Sequence, residues 1–272
     1  VQYGRFVKGL VAGREYGDGA ARFECPAPAF GYSYNRHECV TTLVAEAFPV
    51  TLSLAVGAFV LWLSVGVSLG ILAARKRNEW QDRGATAFVL IGTSLPTFIS
   101  GILILLFVAL KFNLINPLEM GRWVSPLEDP VAWFRSFIFP WITLALLYAA
   151  GYTRFTRSSV IEISSEDYIR TARAKGLNER DILRKHTLRA ALAPIVTLAG
   201  LDFAGLLGGA IITEGIFNLP GLGRLSIRAV LNDYDLPTIL ATTILAASFV
   251  VIANLLVDIL YAYIDPRVRV AS

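Results

Sequence analysis

The sequence is short of most groups that soluble enzymes rely on. Its 272 residues include two histidines, two cysteines and one methionine, and only 17% are Asp, Glu, Lys or Arg. A globular domain in water carries nearer a quarter charged residues. Five lysines are present, at 8, 76, 111, 175 and 185, and none follows a glycine. That excludes the phosphate loop of ATP-using proteins, which needs Gly-Lys-Ser/Thr. No H-E-x-x-H helix occurs either, and a catalytic reading has little to stand on.

What the chain has instead is long uncharged runs. Residues 48–74, 85–110 and 136–153 carry no charge, 190–213 carries only Asp202, and 236–264 carries only Asp258. About 20 helical residues cross a hydrocarbon core. Five such runs predict an all-α, polytopic membrane bundle with five spans. The net charge of +4 is distributed unevenly. Segment 154–189 carries nine Lys/Arg against five Asp/Glu, and 75–83 and the tail are also basic. Basic loops stay cytoplasmic, so 75–84, 154–189 and the C-terminus are expected inside, and 1–47, 111–135 and 214–235 outside. This pattern points to lipid, not to nucleic acid. It also puts His37 and His186 on opposite faces, where they cannot share a metal. Five spans with an inner C-terminus place residue 1 outside. The chain opens on Val1 with no signal-peptide pattern, so a further span is expected before it.

The expected organisation is an extracytoplasmic segment 1–47, a membrane domain 48–264 and a cytoplasmic tail 265–272. Within 1–47, QYGRFVKGLVAG reads as a short interfacial helix. Cys25 and Cys39 share the oxidising face, where they are either two free thiols or a disulfide worth roughly 3 kcal/mol. Together with His37 they lack close zinc-ligand spacing, so no metal site is expected. Every span carries or borders a proline, namely Pro49, Pro96, Pro140, Pro194 or Pro237. Gly66/Gly70 and Gly205/Gly209 have the small-xxx-small spacing of close helix packing. Asp202, deep in its span, either lines a polar path or bonds a neighbouring helix. Asp258 and Asn254 share a helix face and suit a structural pairing. Glu214 begins an outer loop, where interfacial water is within reach.

The charged stretch TARAKGLNERD, 171–181, lies between two spans. Ser164-Ser-Glu-Asp167 has capping-box spacing, and Gly176 fits the left-handed position that ends a helix, with Leu177 following. Asn178 and Asp181 cap a second helix that ends in Arg184, Lys185 and Arg189. Two short helices therefore meet at a glycine elbow, and Ala172 and Ala174 keep its surface low. Such an element either lies on anionic lipid or docks a cytoplasmic protein. The thin apolar stripe (Tyr168, Ile169, Ala172; Ile182, Leu183) and the glycine break favour docking.

At this point a family becomes visible. DYIRTARAKGLNERDILRKHTLRAALAPIVT resembles the EAA loop of binding-protein-dependent ABC importer permeases, specifically the dipeptide/oligopeptide/nickel branch. EGIFNLPGLGRL and NLLVDILYAYIDPRVR, at 214–225 and 254–269, are similar to the same branch. The resemblance implies a type I ABC importer permease of six helices, the first lying before Val1, in a bacterial inner membrane. It implies a homologous second permease subunit, two cytoplasmic ATPase subunits that use ATP and Mg, and an external substrate-binding protein or lipoprotein. The chain itself would bind no cofactor. The coupling segment carries over onto Tyr168, Thr171, Ala172, Arg173, Ala174, Lys175, Gly176 and Leu177. Of these, Ala172, Ala174, Gly176 and Leu177 match the motif, while Thr171 stands where the wider family often has glutamate. The expected cargo is di- or oligopeptides, with nickel or another small solute as the alternative. A channel and a membrane-embedded enzyme built on Asp202 are the remaining readings. The Cys-bearing outer segment is longer than the family pattern leads one to expect.

Overall fold

The computed structural model describes residues 2–17, 22–107 and 121–264. The chain divides into two compact units. One comprises Val1–Ala55, Leu105–Ile138 and Ala204–Val251; the other comprises Val56–Ile104, Phe139–Phe203 and Ile252–Ser272. The main helices are α1 (Gln2–Ala12), α2 (Val40–Arg75), α3 (Trp80–Ser94), α4 (Thr97–Ile104), α5 (Pro130–Ser164) and α6 (Asp167–Ala174). They are followed by α7 (Glu179–Asp181), α8 (Leu188–Leu207), α9 (Ile211–Ile216), α10 (Leu222–Leu231) and α11 (Leu236–Ile264). Four stretches, Val40–Arg75, Pro130–Ser164, Glu179–Leu207 and Leu236–Val257, are long and apolar enough to cross a membrane.

The run 85–110 departs from expectation. Instead of one straight span it forms α3 and a second helix that starts at Thr97, bent by 100°. Pro96 causes the break, because its ring has no N–H to donate and pushes the preceding residue out of the helical region. Leu95 accordingly sits in extended backbone at φ −95° and ψ 115°. Pro49, Pro140 and Pro194 stay inside α2, α5 and α8, and Pro237 falls in the first turn of α11, where a missing N–H costs nothing.

In the first unit, α1 occupies the stretch expected as a short helix. The Gly/Pro-rich residues after it form two antiparallel hairpins, β1 (Arg14–Tyr16) with β2 (Phe23–Cys25) and β3 (Tyr32–Ser33) with β4 (Glu38–Cys39). Strands this short have no readable alternation, so the sequence does not announce them. A Cys25–Cys39 disulfide, Cα to Cα 5.7 Å, joins β2 to β4. Tyr32 packs beside it, its ring stacked on Phe23 at 4.8 Å. Arg36 reaches Asp233 at 3.3 Å and ties the second hairpin to the chain after α10. Val40, Leu43, Val44 and Ala47 of α2 bury against Leu222 and Leu225 of α10 and Ala241 of α11.

In the second unit, α2 and α5 approach closely along the Gly66/Gly70 stripe. A Cβ on Gly66 would come within 2.7 Å of Tyr152 Cβ, and one on Gly70 within 2.5 Å of Thr156 Cβ. The spacing therefore does what small-residue stripes do in membranes: it lets two backbones touch. These residues also spell G-x-S-x-G, but Ser68 lies within α2 and not on the strand-to-helix turn that a nucleophile elbow needs. The second glycine pair behaves differently. Gly205 has open space around it, and it is Gly208 and Gly209 that meet Ala246 and Gly223.

Candidate functional site

The charged element between α5 and α8 is built on local signals, with two corrections. The first concerns its start. Ser164 is the last residue of α5, its hydroxyl donating to Val160 O at 2.6 Å, and Glu166 is the N-cap of α6 without a side-chain bond. No capping box forms, because a serine that bonds back to the carbonyl four residues earlier can remain helical. The end of α6 follows expectation. Gly176 sits at φ +80°, its N–H donating to Arg173 O at 3.0 Å, while Leu177 N–H donates to Ala172 O at 3.3 Å. These are the two bonds of a Schellman end, and left-handed backbone is cheap only for glycine.

Asn178 then caps the next turn, its Oδ1 accepting from Asp181 N–H at 2.9 Å. The second correction lies beyond it. The helix does not stop at the basic cluster; α7 runs through a π-turn, Ile182–Thr187, into α8. The elbow is thus coupled through continuous helix to a candidate span.

The elbow has its own small core. Ile169, Ala172 and Ile182 are buried together. Ala172 therefore lies inside the elbow, where a small residue lets α6 approach the π-turn, and only Ala174 of the two alanines lowers the surface. Arg173 staples the corner, bonding Glu179 at 2.7 and 3.3 Å and Ser164 O at 3.4 Å. Such a surface pair is worth about 0.2–1 kcal/mol, so it restrains the corner without freezing it. Thr171, Ala174, Lys175 and Gly176 face outward, with Tyr168 47% and Leu177 43% exposed. A cavity of about 360 Å³ behind the corner is lined by Arg75, Val160, Ser164, Arg173, Glu179 and Ile182 among others.

One supporting contact has no sequence signal. Arg157 on α5 makes two parallel bonds to Asp82 on α3, at 2.6 and 2.9 Å, and Asn78 N–H donates to the same carboxylate at 2.9 Å. This fork clamps the 75–84 turn. Seventy-five residues separate the partners, and nothing in either segment marks the pairing.

The two acidic candidates have distinct environments. Asp202 on α8 accepts from the Tyr152 hydroxyl of α5 at 2.6 Å. Tyr152 belongs to an aromatic group in which Trp62 stacks on Tyr148 at 4.6 Å. Of the two roles weighed for Asp202, this geometry is that of helix-to-helix bonding. Asp258 lies outside the residues whose side chains are described.

Glu214 overturns its expected contact with interfacial water, being 0% exposed. Its carboxylate accepts from Thr51 Oγ1 at 2.9 Å and from Arg224 N–H at 2.8 Å, and the Gly223 amide also faces it. A Cβ on Gly221 would come within 2.5 Å of the carboxyl carbon, so the glycines of LPGLG are the space Glu214 occupies. Burial pushes the Glu214 carboxyl above its ordinary value, while the surrounding donors hold it back. Among the described residues no group of His, Cys, Asp and Glu is arranged to hold a metal.

Comparison with known proteins extends these observations. Residues 66–270 match the family described as binding-protein-dependent transport system inner membrane component, and residues 1–55 match the description of its N-terminal membrane component. A permease protein of Brucella abortus (strain 2308), named for a peptide transport system, is 40% identical over 88% of this chain and 75% of its own length. The glutathione transport system permease protein GsiC of Escherichia coli (strain K12) is 38% identical over 88% of this chain and 74% of its own length. An inward-facing structure of the MetNI methionine ABC transporter shares the fold, with TM-score 0.64 at 18% identity over 83% of this chain and 97% of that one.

Proposed function

The chain belongs to the family of binding-protein-dependent transport system inner membrane components, and on that premise we propose that it is the permease subunit of an ATP-driven importer of di- or oligopeptides. Relatives named for peptide and glutathione transport support the cargo class. In this reading the chain forms half of a pathway shared with a homologous permease in the bacterial inner membrane. Residues 48–264 are the membrane domain, 1–47 the extracytoplasmic segment and 265–272 the cytoplasmic tail. An external binding protein delivers the substrate, and two cytoplasmic ATPase subunits supply ATP and Mg chemistry that this chain does not perform. The described residues of the segments assigned outside (2–17, 22–47, 121–135 and 214–235) all belong to one compact unit, and 75–84 and 154–189 belong to the other, which supports that topology.

The observation that carries the coupling role is the elbow. Its exposed ridge, Tyr168, Thr171, Ala174, Lys175 and Leu177, is low, mixed in polarity and backed by a buried core. A clamped corner of this kind moves as one body, and the continuous helix from Glu179 to Leu207 passes its movement to a span. ATP-driven closure of the ATPase pair then tilts the span and switches access between faces.

Cysteine cross-linking in the assembled transporter tests this. Ala174→Cys should cross-link to an ATPase subunit and Tyr34→Cys, on an outer hairpin, to the binding protein. The reverse pattern would refute the assignment.

A further inference from the structure

The first unit holds a second concavity that neither the elbow nor the family likeness explains. It has a volume of about 450 Å³, within the range of about 300–1,000 Å³ typical of small-molecule sites. Arg36, Arg224 and Arg228 line it, with Glu46 from α2, and Trp123 and Pro220 are among its apolar walls. The three arginines are not equivalent. Arg36 is neutralised by Asp233. Arg224 donates to a backbone carbonyl, Asn218 O, at 2.7 Å, and its nearest carboxylate, Glu214, is occupied by backbone amides. The Arg228 guanidinium has neither a hydrogen-bond nor an ion-pair partner among the described residues, only the Arg228 carbonyl being engaged, by Asn232 and Asp233 N–H.

Arg224 and Arg228 are four residues apart on α10, which puts two like charges on one helix face at a cost to the helix. The buried residues Leu222, Leu225 and Ala229 anchor the neighbouring face of α10, Leu225 also reaching the cavity wall, and so hold the arginines against the cavity. A bound carboxylate would reverse that cost, because two guanidinium forks suit its paired oxygens. Glu46 is also unpaired among the described residues and contributes the opposite sign to the same lining. A concave site whose lining includes unpaired arginine, one carboxylate and an indole offers partners for both ends of a short zwitterionic chain.

We propose that this cavity binds peptide cargo, Arg224 and Arg228 taking its terminal carboxylate and Glu46 its terminal ammonium. The inference rests on the peptide-importer reading and adds to it a site on the permease itself. Entry here would select for free termini before the peptide reaches the spans.

The test uses the complete reconstituted transporter with saturating binding protein, and two tripeptide libraries, one with free C-termini and one C-terminally amidated. Arg228→Gln should raise KM for the free-acid library about tenfold, the equivalent of about 1.4 kcal/mol, and change that for the amidated library less than twofold. Arg228→Lys keeps the charge without the planar fork and should restore only part of the difference. Glu46→Gln should show the reciprocal pattern, discriminating less between free and N-acetylated libraries. Equal loss for both libraries, or no loss for either, would overturn the site. So would an effect of Arg228→Gln seen in vesicles containing phosphatidylglycerol and absent in phosphatidylcholine, since the arginines would then be holding lipid headgroups. If the wild-type transporter takes up neither library, the peptide-importer reading falls, and this site with it.

Discussion

Replacing Gly176 separates the two demands that a coupling elbow can make on a glycine. The residue sits at φ +80°, and a Cβ placed there meets no atom within 4 Å. Steric overlap inside the chain is therefore not an issue, and the cost of a side chain is backbone strain. An L-residue in left-handed backbone costs roughly 1–2 kcal/mol, least for asparagine and most for a β-branched residue. A change of that size shifts the open–closed equilibrium of the elbow by about 5- to 30-fold. If the ATPase binds only the closed corner, its affinity for the purified permease should fall by up to that factor, reaching it once the open form predominates. We expect a loss of up to about 30-fold for Gly176→Val, up to about 5- to 10-fold for Gly176→Ala and under about threefold for Gly176→Asn. Titrating labelled ATPase onto the variants in nanodiscs measures this directly. Gly176→Asn binding as poorly as Gly176→Val would refute the strain reasoning, because the partner would then be demanding bare backbone. Unchanged affinity for Gly176→Val would remove the elbow from the docking surface.

Other perturbations follow from the contacts. Arg157→Gln and Asp82→Asn each break a two-bond fork whose carboxylate is almost fully enclosed, and each should destabilise the purified permease by about 2–3 kcal/mol. The double variant should cost little more than either single change in a thermal-unfolding cycle; simple additivity would mean that the pair does not interact. Glu214, with its carboxyl raised above the usual 4.5, favours the folded state in its protonated form. Its contribution is complete below pH 4.5 and is lost as pH rises through the raised value. The difference in stability between wild type and Glu214→Gln should therefore shift towards the variant on going from pH 4.5 to pH 8, and a shift towards wild type would contradict the burial argument. Reducing the Cys25–Cys39 bond, which spans a sequence separation of 14, should cost about 3 kcal/mol of local stability. Faster proteolysis of residues 14–39 under dithiothreitol is the expected readout, and equal rates would argue against it.

What could be read from the sequence depended on how far apart the partners lie. The elbow was legible because Gly176, Leu177, Asn178 and Asp181 fall within six residues, and helix ends are decided locally. The spans were legible because hydrocarbon demands long uncharged runs. The Ser164 cap misled because serine in α5 has a competing acceptor one turn back, a choice that side-chain spacing alone does not settle. Which proline would break its helix was equally hidden, since all five border similar runs. Pro96 breaks one where Pro49, Pro140 and Pro194 do not. Glu214 was misplaced for the opposite reason. Its hydroxyl donor, Thr51, is 163 residues away, and no local pattern foretells a cage assembled over that distance. The family likeness supplied the partners and the coupling residues, which no physical property of the segment names.

Transport itself is the most direct test. The chain, its homologous permease, the ATPase pair and the binding protein, reconstituted in proteoliposomes, should accumulate short peptides only when ATP and Mg are present on the elbow side. Uptake should cease when Gly176 is replaced by valine, with the assembly still inserted in the membrane. Peptide uptake that proceeds without ATP, or that survives Gly176→Val undiminished, would contradict an importer driven through this elbow.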